Sequence, residues 1–150
     1  MKPYIGSLAD SMLITCVYDR EINCRRAASA AFQENVGRQG NENFPNGIDI
    51  ITIADYFSLG NRSHAFTHVA PLIAAMTDGN HEVLMFHLLD VKAGHWDVEV
   101  SQPSARLVVS FVLCPMCGVL SNRTYILRAN AFLLPPQVRR LASHALAALV

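Results

Sequence analysis

The sequence contains almost the same nine-residue phrase twice, as CRRAASAAF at Cys24–Phe32 and as VRRLASHAL at Val138–Leu146. In both copies the second-position arginine is followed by an alanine three residues later and by a large apolar side chain four residues after that. Residues at this spacing lie on one face of an α-helix. The repetition therefore predicts a protein built from helical repeats.

A third, weaker copy of this template begins at Arg62, with Ala65 and Val69 at the same spacing. The template arginines lie 37 and then 77 residues apart. Repeats of the HEAT and armadillo classes contain two or three helices and recur every ~40–47 residues. The first interval is close to that range, whereas the second requires either two repeats or one repeat with an insertion.

Each copy of the template is interpreted as the second helix of an antiparallel helix pair. Helices of this length are marginally stable alone, so neighbouring pairs must stack. The predicted fold class is all-α, a HEAT- or armadillo-like α-solenoid of about three antiparallel pairs, the last of them interrupted by an irregular insertion. The expected helices are 3–17 and 20–36, 48–57 and 61–76, and 81–92 and 138–150.

Local features of these helices are also predicted. Asp19 is expected to cap the second helix, and Gly37 and Gly40 to end it. Pro71 removes a backbone hydrogen bond to Thr67 and is expected to kink or break the helix at 61–76. On the second helix an apolar stripe is expected at residues 24, 27, 28, 31, 32 and 36, with Cys16 and Cys24 as small core residues.

The template arginines are interpreted as structural. In HEAT-like repeats such an arginine bridges to an aspartate in the turn of an adjacent pair, so Arg25 is expected to pair with Asp19 or Asp55. Arg26 lies one position further around the helix. We therefore expect Arg26 to be more free than Arg25 to face a partner.

Composition excludes several classes of protein. With 51% hydrophobic residues, 16% charged residues and a mean hydropathy of +0.24, the chain is too apolar to be disordered. Twelve basic residues balance twelve acidic ones, so no net field favours nucleic acid or an anionic membrane. The apolar run at 107–120 is shorter than the ~20 residues that span a bilayer. With four irregularly spaced cysteines and no signal peptide, these features predict a cytoplasmic chain.

Two patterns suggest metal or redox chemistry, and both are weak. Cys114 and Cys117 form a CPMC motif, but a zinc site needs four ligands and a thioredoxin-like site needs a βαβ setting. His64 and His68 are four residues apart and have no evident third ligand. The sequence also lacks a GxxxxGK[ST] phosphate-binding loop. We therefore expect no enzyme activity, no cofactor and no metal.

Three longer stretches resemble the middle HEAT-repeat region of the tubulin-folding cofactor D family. They are CRRAASAAFQENVGRQG at 24–40, FPNGIDIITIADYFSLGNRS at 44–63 and HLLDVKAGHWD at 87–97. The resemblance extends from residue 2 to about residue 99 and resumes at Val138. It includes many residues that core packing alone would not fix. Because members of the family are much longer solenoids, we expect this chain to be a fragment of one.

The resemblance also accounts for the uneven spacing. In the family, the HWD phrase is followed within a few residues by the next arginine helix, whereas here 38 residues, 100–137, intervene. Without them the interval of 77 residues becomes 39. A valine codon begins with GT and a glutamine codon can end in AG, so Val100 and Gln137 are compatible with the edges of a translated intron. We therefore expect HEAT-like repeats at 1–99, an anomalous hydrophobic insertion (a retained intron or a gene-model error) at 100–137, and the second helix of the third repeat at 138–150.

The resemblance implies a non-enzymatic chaperone scaffold, cytoplasmic or associated with the cytoskeleton, that binds β-tubulin and supports assembly of the α/β-tubulin heterodimer. The implied partners are β-tubulin, other tubulin-folding cofactors and an ADP-ribosylation-factor-like small GTPase, with GTP hydrolysis promoted in a partner's active site. Two alternatives stay open. In the first, the chain is a generic HEAT-repeat protein-interaction adaptor; in the second, it is a truncated product without a function of its own.

A solenoid binds partners through the exposed faces of its second helices and through the loops between pairs, since stacking buries its other faces. Because tubulin is acidic, arginines on this surface are expected to steer it. The expected partner-contacting residues are Arg26, Gln33, Glu34, Arg38, Gln39, Asp49, Asp55, Tyr56 and Arg62.

Overall fold

The structure, a computed structural model, describes residues 2–92, and their side chains from Tyr4 onward. These residues form helices joined by short loops and contain no strand, which confirms the predicted all-α class. The described residues up to Leu84 belong to one compact unit, and residues 85–92 belong to a second. The predicted insertion at 100–137 and the predicted helix at 138–150 lie outside the described residues. The helices are α1 (Lys2–Tyr18), α2 (Ile22–Gln39), α3 (Gly47–Ile53), α4 (Arg62–His64), a π-helical turn (Ala65–Val69), α5 (Ala70–Ala74), α6 (Asp78–His87) and a second π-helical turn (Leu88–Lys92).

The first two helices pack against each other as an antiparallel pair, as predicted. From α1 the side chains of Met12, Leu13, Cys16 and Val17 are buried in the core. The buried residues of α2 are Arg25, Ala28, Phe32 and Val36, so the arginine template itself marks the inner face of this helix.

The apolar stripe predicted for α2 is wrong in half of its members. Cys24, Ala27 and Ala31 are exposed. Alanine and cysteine bury little apolar area, so they do not decide which face turns inward. The larger side chains of Phe32 and Val36 and the hydrogen bonds of Arg25 decide it instead.

The C-terminal end of α2 agrees with the prediction at Gly40, whereas the N-terminal end does not agree with it. Gly40 ends the helix as predicted, with a φ of 69° and an N–H that donates to the carbonyl of Val36, but Gly37 lies inside it. The predicted cap Asp19 is wrong, because the helix begins at Ile22 and Glu21 occupies the cap position. The Oδ1 atom of Asp19 accepts a hydrogen bond from the Glu21 N–H at 2.8 Å and so shapes the turn that precedes the helix.

The second pair begins with the short helix α3, which packs on α2. Phe44, in the preceding loop, meets Phe32 edge to face with ring centroids 5.3 Å apart. Gly47 then starts α3 so close to α2 that an added Cβ would lie 2.7 Å from Cγ2 of Val36. Only glycine therefore fits at this start without a shift of α2 or α3.

Residues 62–74 form one continuous helix that contains a π-helical turn at Ala65–Val69. Within it the Ala70 N–H donates to the carbonyl of Ala65, five residues earlier. This wider turn lies directly before Pro71, whose ring would clash with the carbonyl of Thr67 in a regular α-helix. The kink or break predicted at Pro71 therefore takes the form of a change from π-helical to α-helical geometry at Ala70, and the helix itself continues. Phe66, on the π-helical turn, packs on Tyr18 of α1 with ring centroids 4.8 Å apart.

Along the chain, the short α3 is followed by two longer helical stretches, 62–74 and 78–92. This succession occupies residues 47–92, a length that fits the ~40–47-residue period of repeats with two or three helices. Of the two repeat classes that the sequence left open, the three-helix armadillo type matches this order of elements better.

A pair of glycine substitutions tests the contact between α2 and α3. Gly47→Ala is expected to destabilise the chain by about 1–3 kcal/mol, because the new methyl group collides with the stiff Val36 side chain. Gly37→Ala, where nothing lies within 4 Å of the added Cβ, is expected to stabilise it by about 0.5–1 kcal/mol through higher helix propensity. Urea unfolding followed by circular dichroism measures both. Shifts of the same sign would contradict the close approach at Gly47.

Candidate protein-interaction surface

The surface is organised by Arg25, which is buried to 2% exposure and uses all three of its guanidinium nitrogens. Nη1 donates to the carbonyls of Asp19 and Arg20 at 3.0 and 2.8 Å. Nε donates to the carbonyl of Leu59 at 2.9 Å and Nη2 to that of Gly60 at 3.3 Å. One side chain of α2 therefore joins the α1–α2 loop to the loop that precedes α4.

The predicted pairing of Arg25 with an aspartate carboxylate is wrong. The carboxylate of Asp19 is engaged by the Glu21 N–H, and that of Asp55 accepts from the backbone N–H groups of Phe57 and Ser58 at 2.7 and 2.6 Å. Arg25 instead binds carbonyl oxygens, which suit a buried guanidinium because they satisfy its donors at fixed positions. Burial, with additional repulsion from Arg62, lowers the pKa of Arg25 from its ordinary value.

Asp55 fixes the turn that follows α3. The hydrogen bond that the backbone N–H of Ser58 donates is the main reason why the pKa of Asp55 is lowered. The Asp55 carboxylate is therefore anionic at neutral pH. The Ser58 hydroxyl adds a hydrogen bond to the carbonyl of Ile53 at 2.8 Å. These bonds draw the chain into a turn, which explains why α3 ends at Ile53 and not at Phe57 as predicted.

Arg26 and Tyr56 form a close pair on the outside of this turn. The guanidinium carbon of Arg26 lies 3.5 Å from the centre of the Tyr56 ring. Its Nε atom donates to the Tyr56 carbonyl at 3.1 Å, and Nη1 donates to the Tyr56 hydroxyl at 2.9 Å. Arg26 is less buried than Arg25, but its guanidinium is not unbound, because it is engaged by Tyr56. Arg26 holds Tyr56, and the sequence had proposed both residues as partner contacts.

Phe57 extends this pair into a larger apolar surface. Its ring lies edge to face with that of Tyr56, with centroids 5.7 Å apart. Phe57 is 85% exposed and Tyr56 60% exposed. We call Arg26, Tyr56 and Phe57 the aromatic edge. Phe57 is not among the contacts predicted from the sequence, because the helical pattern placed it at the end of α3, although Asp55 followed by Ser58 is typical of a side-chain-stabilised turn.

Arginines converge beside the aromatic edge at Gly60. Arg25 donates to the Gly60 carbonyl, and Nη2 of Arg26 would lie 3.1 Å from a Cβ added to Gly60. Arg62 follows two residues later, is half-buried and lowers the pKa of Arg25 by repulsion. Within residues 4–92, neither Arg26 nor Arg62 forms an ion pair with a carboxylate.

The remaining predicted contact residues lie along the second half of α2 and at the start of α3. Glu34 and Arg38 form an exposed ion pair at 2.7 Å, so each offsets the other's charge. Gln39 donates to the side chain of Asn35 at 3.1 Å. Gln33 and Asp49 are exposed. The predicted site therefore falls into two groups. One is this polar group, and the other lies at or beside the aromatic edge and consists of Arg26, Asp55, Tyr56 and Arg62.

The histidines and cysteines of the described part form no comparable site. The rings of His64 and His68 lie 5.1 Å apart, and no three His, Cys, Asp or Glu side chains between residues 4 and 92 converge to hold a metal ion. Burial raises the pKa of the Cys16 thiol to about 12, which suits its predicted place in the core, whereas Cys24 is exposed. The CPMC motif lies outside the described residues.

None of the helices within 2–92 combines the length and apolar character that a membrane span requires.

Comparison with known proteins agrees with the resemblance seen in the sequence. A family model described as tubulin-specific chaperone D-like, ARM repeats, matches residues 1–48 and ends where α3 begins. The chain is 38% identical over 108 residues to tubulin-specific chaperone D of Dictyostelium discoideum, which is 72% of this chain and 7% of that protein. It is 34% identical over 94 residues to tubulin-folding cofactor D of Schizosaccharomyces pombe, which is 63% of this chain and 8% of that protein. No solved structure matches the chain.

A titration tests the turn that carries the aromatic edge. The Asp55 carboxyl is expected to titrate below its ordinary pKa of 3.8, because its anion accepts two backbone hydrogen bonds. With a depressed folded-state pKa, the turn is stabilised above pH 3.8 and loses that stabilisation as the pH falls through the folded-state value. Side-chain NMR measures the midpoint directly.

Hydrogen exchange at the backbone amides provides a second test of this turn, with a control substitution. At neutral pH, Asp55→Ala should accelerate hydrogen exchange at Phe57 and Ser58, whereas Asp49→Ala, at the other end of α3, should leave both amides unchanged. A titration midpoint at or above 3.8 for Asp55, or unaltered exchange in Asp55→Ala, would contradict the proposed turn.

Proposed function

This chain belongs to the tubulin-folding cofactor D family, and we propose that it forms part of a non-enzymatic chaperone scaffold that binds β-tubulin and supports assembly of the α/β-tubulin heterodimer. The observation that carries this proposal is the 38% identity to a tubulin-specific chaperone over 108 residues. Because the chain spans less than a tenth of the length of the relatives it matches, it would contribute one section of a longer binding surface.

The arrangement of the helices supports a binding role. Arg25 and the Asp55 turn hold the loop after α3 in one conformation through hydrogen bonds to backbone groups. A surface that is already ordered loses little conformational entropy when a partner binds, so its contacts translate more fully into affinity. Repeat proteins use such rigid, extended surfaces to hold folded clients.

The charges on this surface fit an acidic client such as tubulin. Arg26 and Arg62 have no carboxylate partner in the described part of the chain, whereas Arg38 is already paired with Glu34. Unpaired surface cations raise the rate at which an acidic protein associates and help to orient it. We therefore assign more of the electrostatic contribution to Arg26 and Arg62 than to Arg38.

The wider assembly follows from the same proposal. Its other members would be further tubulin-folding cofactors and an ADP-ribosylation-factor-like small GTPase, in the cytoplasm and near the microtubule cytoskeleton. Any stimulation of GTP hydrolysis would take place in the active site of the partner that holds the nucleotide. The scaffold's part would be to position that partner.

Charge reversal in a full-length family protein that carries this segment tests the proposal. Capture of purified tubulin is expected to weaken at least tenfold when Arg26, Arg38 and Arg62 are all changed to Glu, because the charge that this surface presents to tubulin becomes repulsive. Arg38→Glu alone should weaken it less than threefold, and circular dichroism should show that each variant keeps its helices. The binding constant is measured by surface plasmon resonance at two salt concentrations.

Two results would contradict the proposal in different ways. Unchanged tubulin capture by the triple variant would remove these arginines from the tubulin contact. Recovery of a different client, with no tubulin, on purification of the unmodified full-length protein would favour the generic adaptor instead.

A further inference from the structure

Phe57 is the most exposed of the large apolar side chains that the structure describes. Together with the exposed ring of Tyr56, which it contacts, Phe57 forms an apolar patch of the kind that marks interaction sites. The neighbouring backbone is ordered by Asp55, whose carboxylate binds the N–H of Phe57 itself. Phe57 is therefore presented on a fixed turn.

The composition of the aromatic edge is that of a binding hot spot. Arginine and tyrosine are enriched among the residues that carry most of the energy of protein interfaces. Here Arg26 fixes Tyr56 with two hydrogen bonds and a guanidinium–ring contact, and Tyr56 supports Phe57 at its edge. The rotamers of the first two side chains are thus set before a partner arrives, which lowers the entropic cost of binding.

The charge beside the aromatic edge indicates the chemistry of the partner. The guanidinium groups of Arg25 and Arg26 both reach Gly60, and Arg25 is repelled by the positive charges of Arg62 and Arg26. The nearby carboxylate of Asp55 is engaged by two backbone N–H groups, and Arg26 and Arg62 lack an ion-pair partner within residues 4–92. A carboxylate brought by a partner would relieve this repulsion and use donors that are still vacant on Arg26 and Arg62.

We infer that the aromatic edge, together with Arg62, is a docking site for an acidic segment of a protein client, in which an apolar side chain covers Phe57 and an adjacent Asp or Glu binds Arg26 or Arg62. This inference rests on the proposed function, since the client is the protein that the scaffold holds. A protein segment fits better than a nucleic acid, because the chain as a whole carries no net positive charge and a phosphate backbone requires an extended basic surface.

Site-specific photo-cross-linking tests what covers Phe57. In a full-length family protein that carries this segment, Phe57 is replaced by p-benzoylphenylalanine, and purified α/β-tubulin serves as the probe. The expected adduct is a tubulin peptide in which Asp and Glu outnumber Lys and Arg. The same replacement at Ile48, which is 72% exposed on α3, should give at least fivefold less adduct.

Three outcomes of the cross-linking experiment would overturn the inference. They are a cross-link to a basic tubulin peptide, a cross-link to the scaffold protein's own residues, and equal yields from positions 57 and 48. Each would show that an acidic client segment does not lie on Phe57.

Affinity measurements separate this inference from the function on which it rests. Phe57→Ala should weaken tubulin binding at least tenfold and Ile48→Ala less than twofold, and circular dichroism should show unchanged helicity in both. Unchanged binding of Phe57→Ala with tubulin still captured would overturn the docking site and leave the proposed function standing. Failure of the unmodified protein to bind tubulin would overturn both.

Discussion

The described part of the chain depends on one buried cation, the guanidinium of Arg25. Removing a guanidinium from water carries a large penalty unless its donors are satisfied, and here carbonyls of two separate loops satisfy them. Because a guanidinium is planar and its N–H directions are fixed, these bonds set the relative position of the α1–α2 loop and the loop before α4. A polar group near the N-terminal end of α2 thereby links the α1–α2 pair to the loop that precedes α4.

The same interaction determines what the surface can offer a partner. Arg25 holds the inner side of the loop at Leu59 and Gly60, while the adjacent Arg26 holds its outer side at Tyr56. Consecutive helix residues point about 100° apart, so one arginine pair can serve the core and the surface at once. This division of roles explains the arginine pair of α2 in physical terms.

The sequence predicted the parts of this structure that depend on spacing. The template arginine, alanine and apolar residue do mark the buried face of α2, and Pro71 does disturb its helix. The details that depend on competition between hydrogen-bond partners were not predictable from spacing. Asp19 and Asp55 bind backbone N–H groups of their own turns, so neither carboxylate bonds to Arg25, and Phe57 becomes exposed because the Asp55 turn ends α3 early. The template also hides a difference, since Arg62 occupies the position of Arg25 yet its guanidinium makes no hydrogen bond within residues 4–92.

The measurement that tests this account most directly is the stability of Arg25→Met against that of Arg38→Met. Methionine keeps much of the volume but leaves the carbonyls of the two loops without their donor, so the free energy of unfolding should fall by about 2–4 kcal/mol. Arg38 lies in an exposed ion pair, so its replacement should change the free energy by less than about 1 kcal/mol. Urea denaturation of both variants gives the comparison. Equal stabilities for the two would contradict the central place of Arg25.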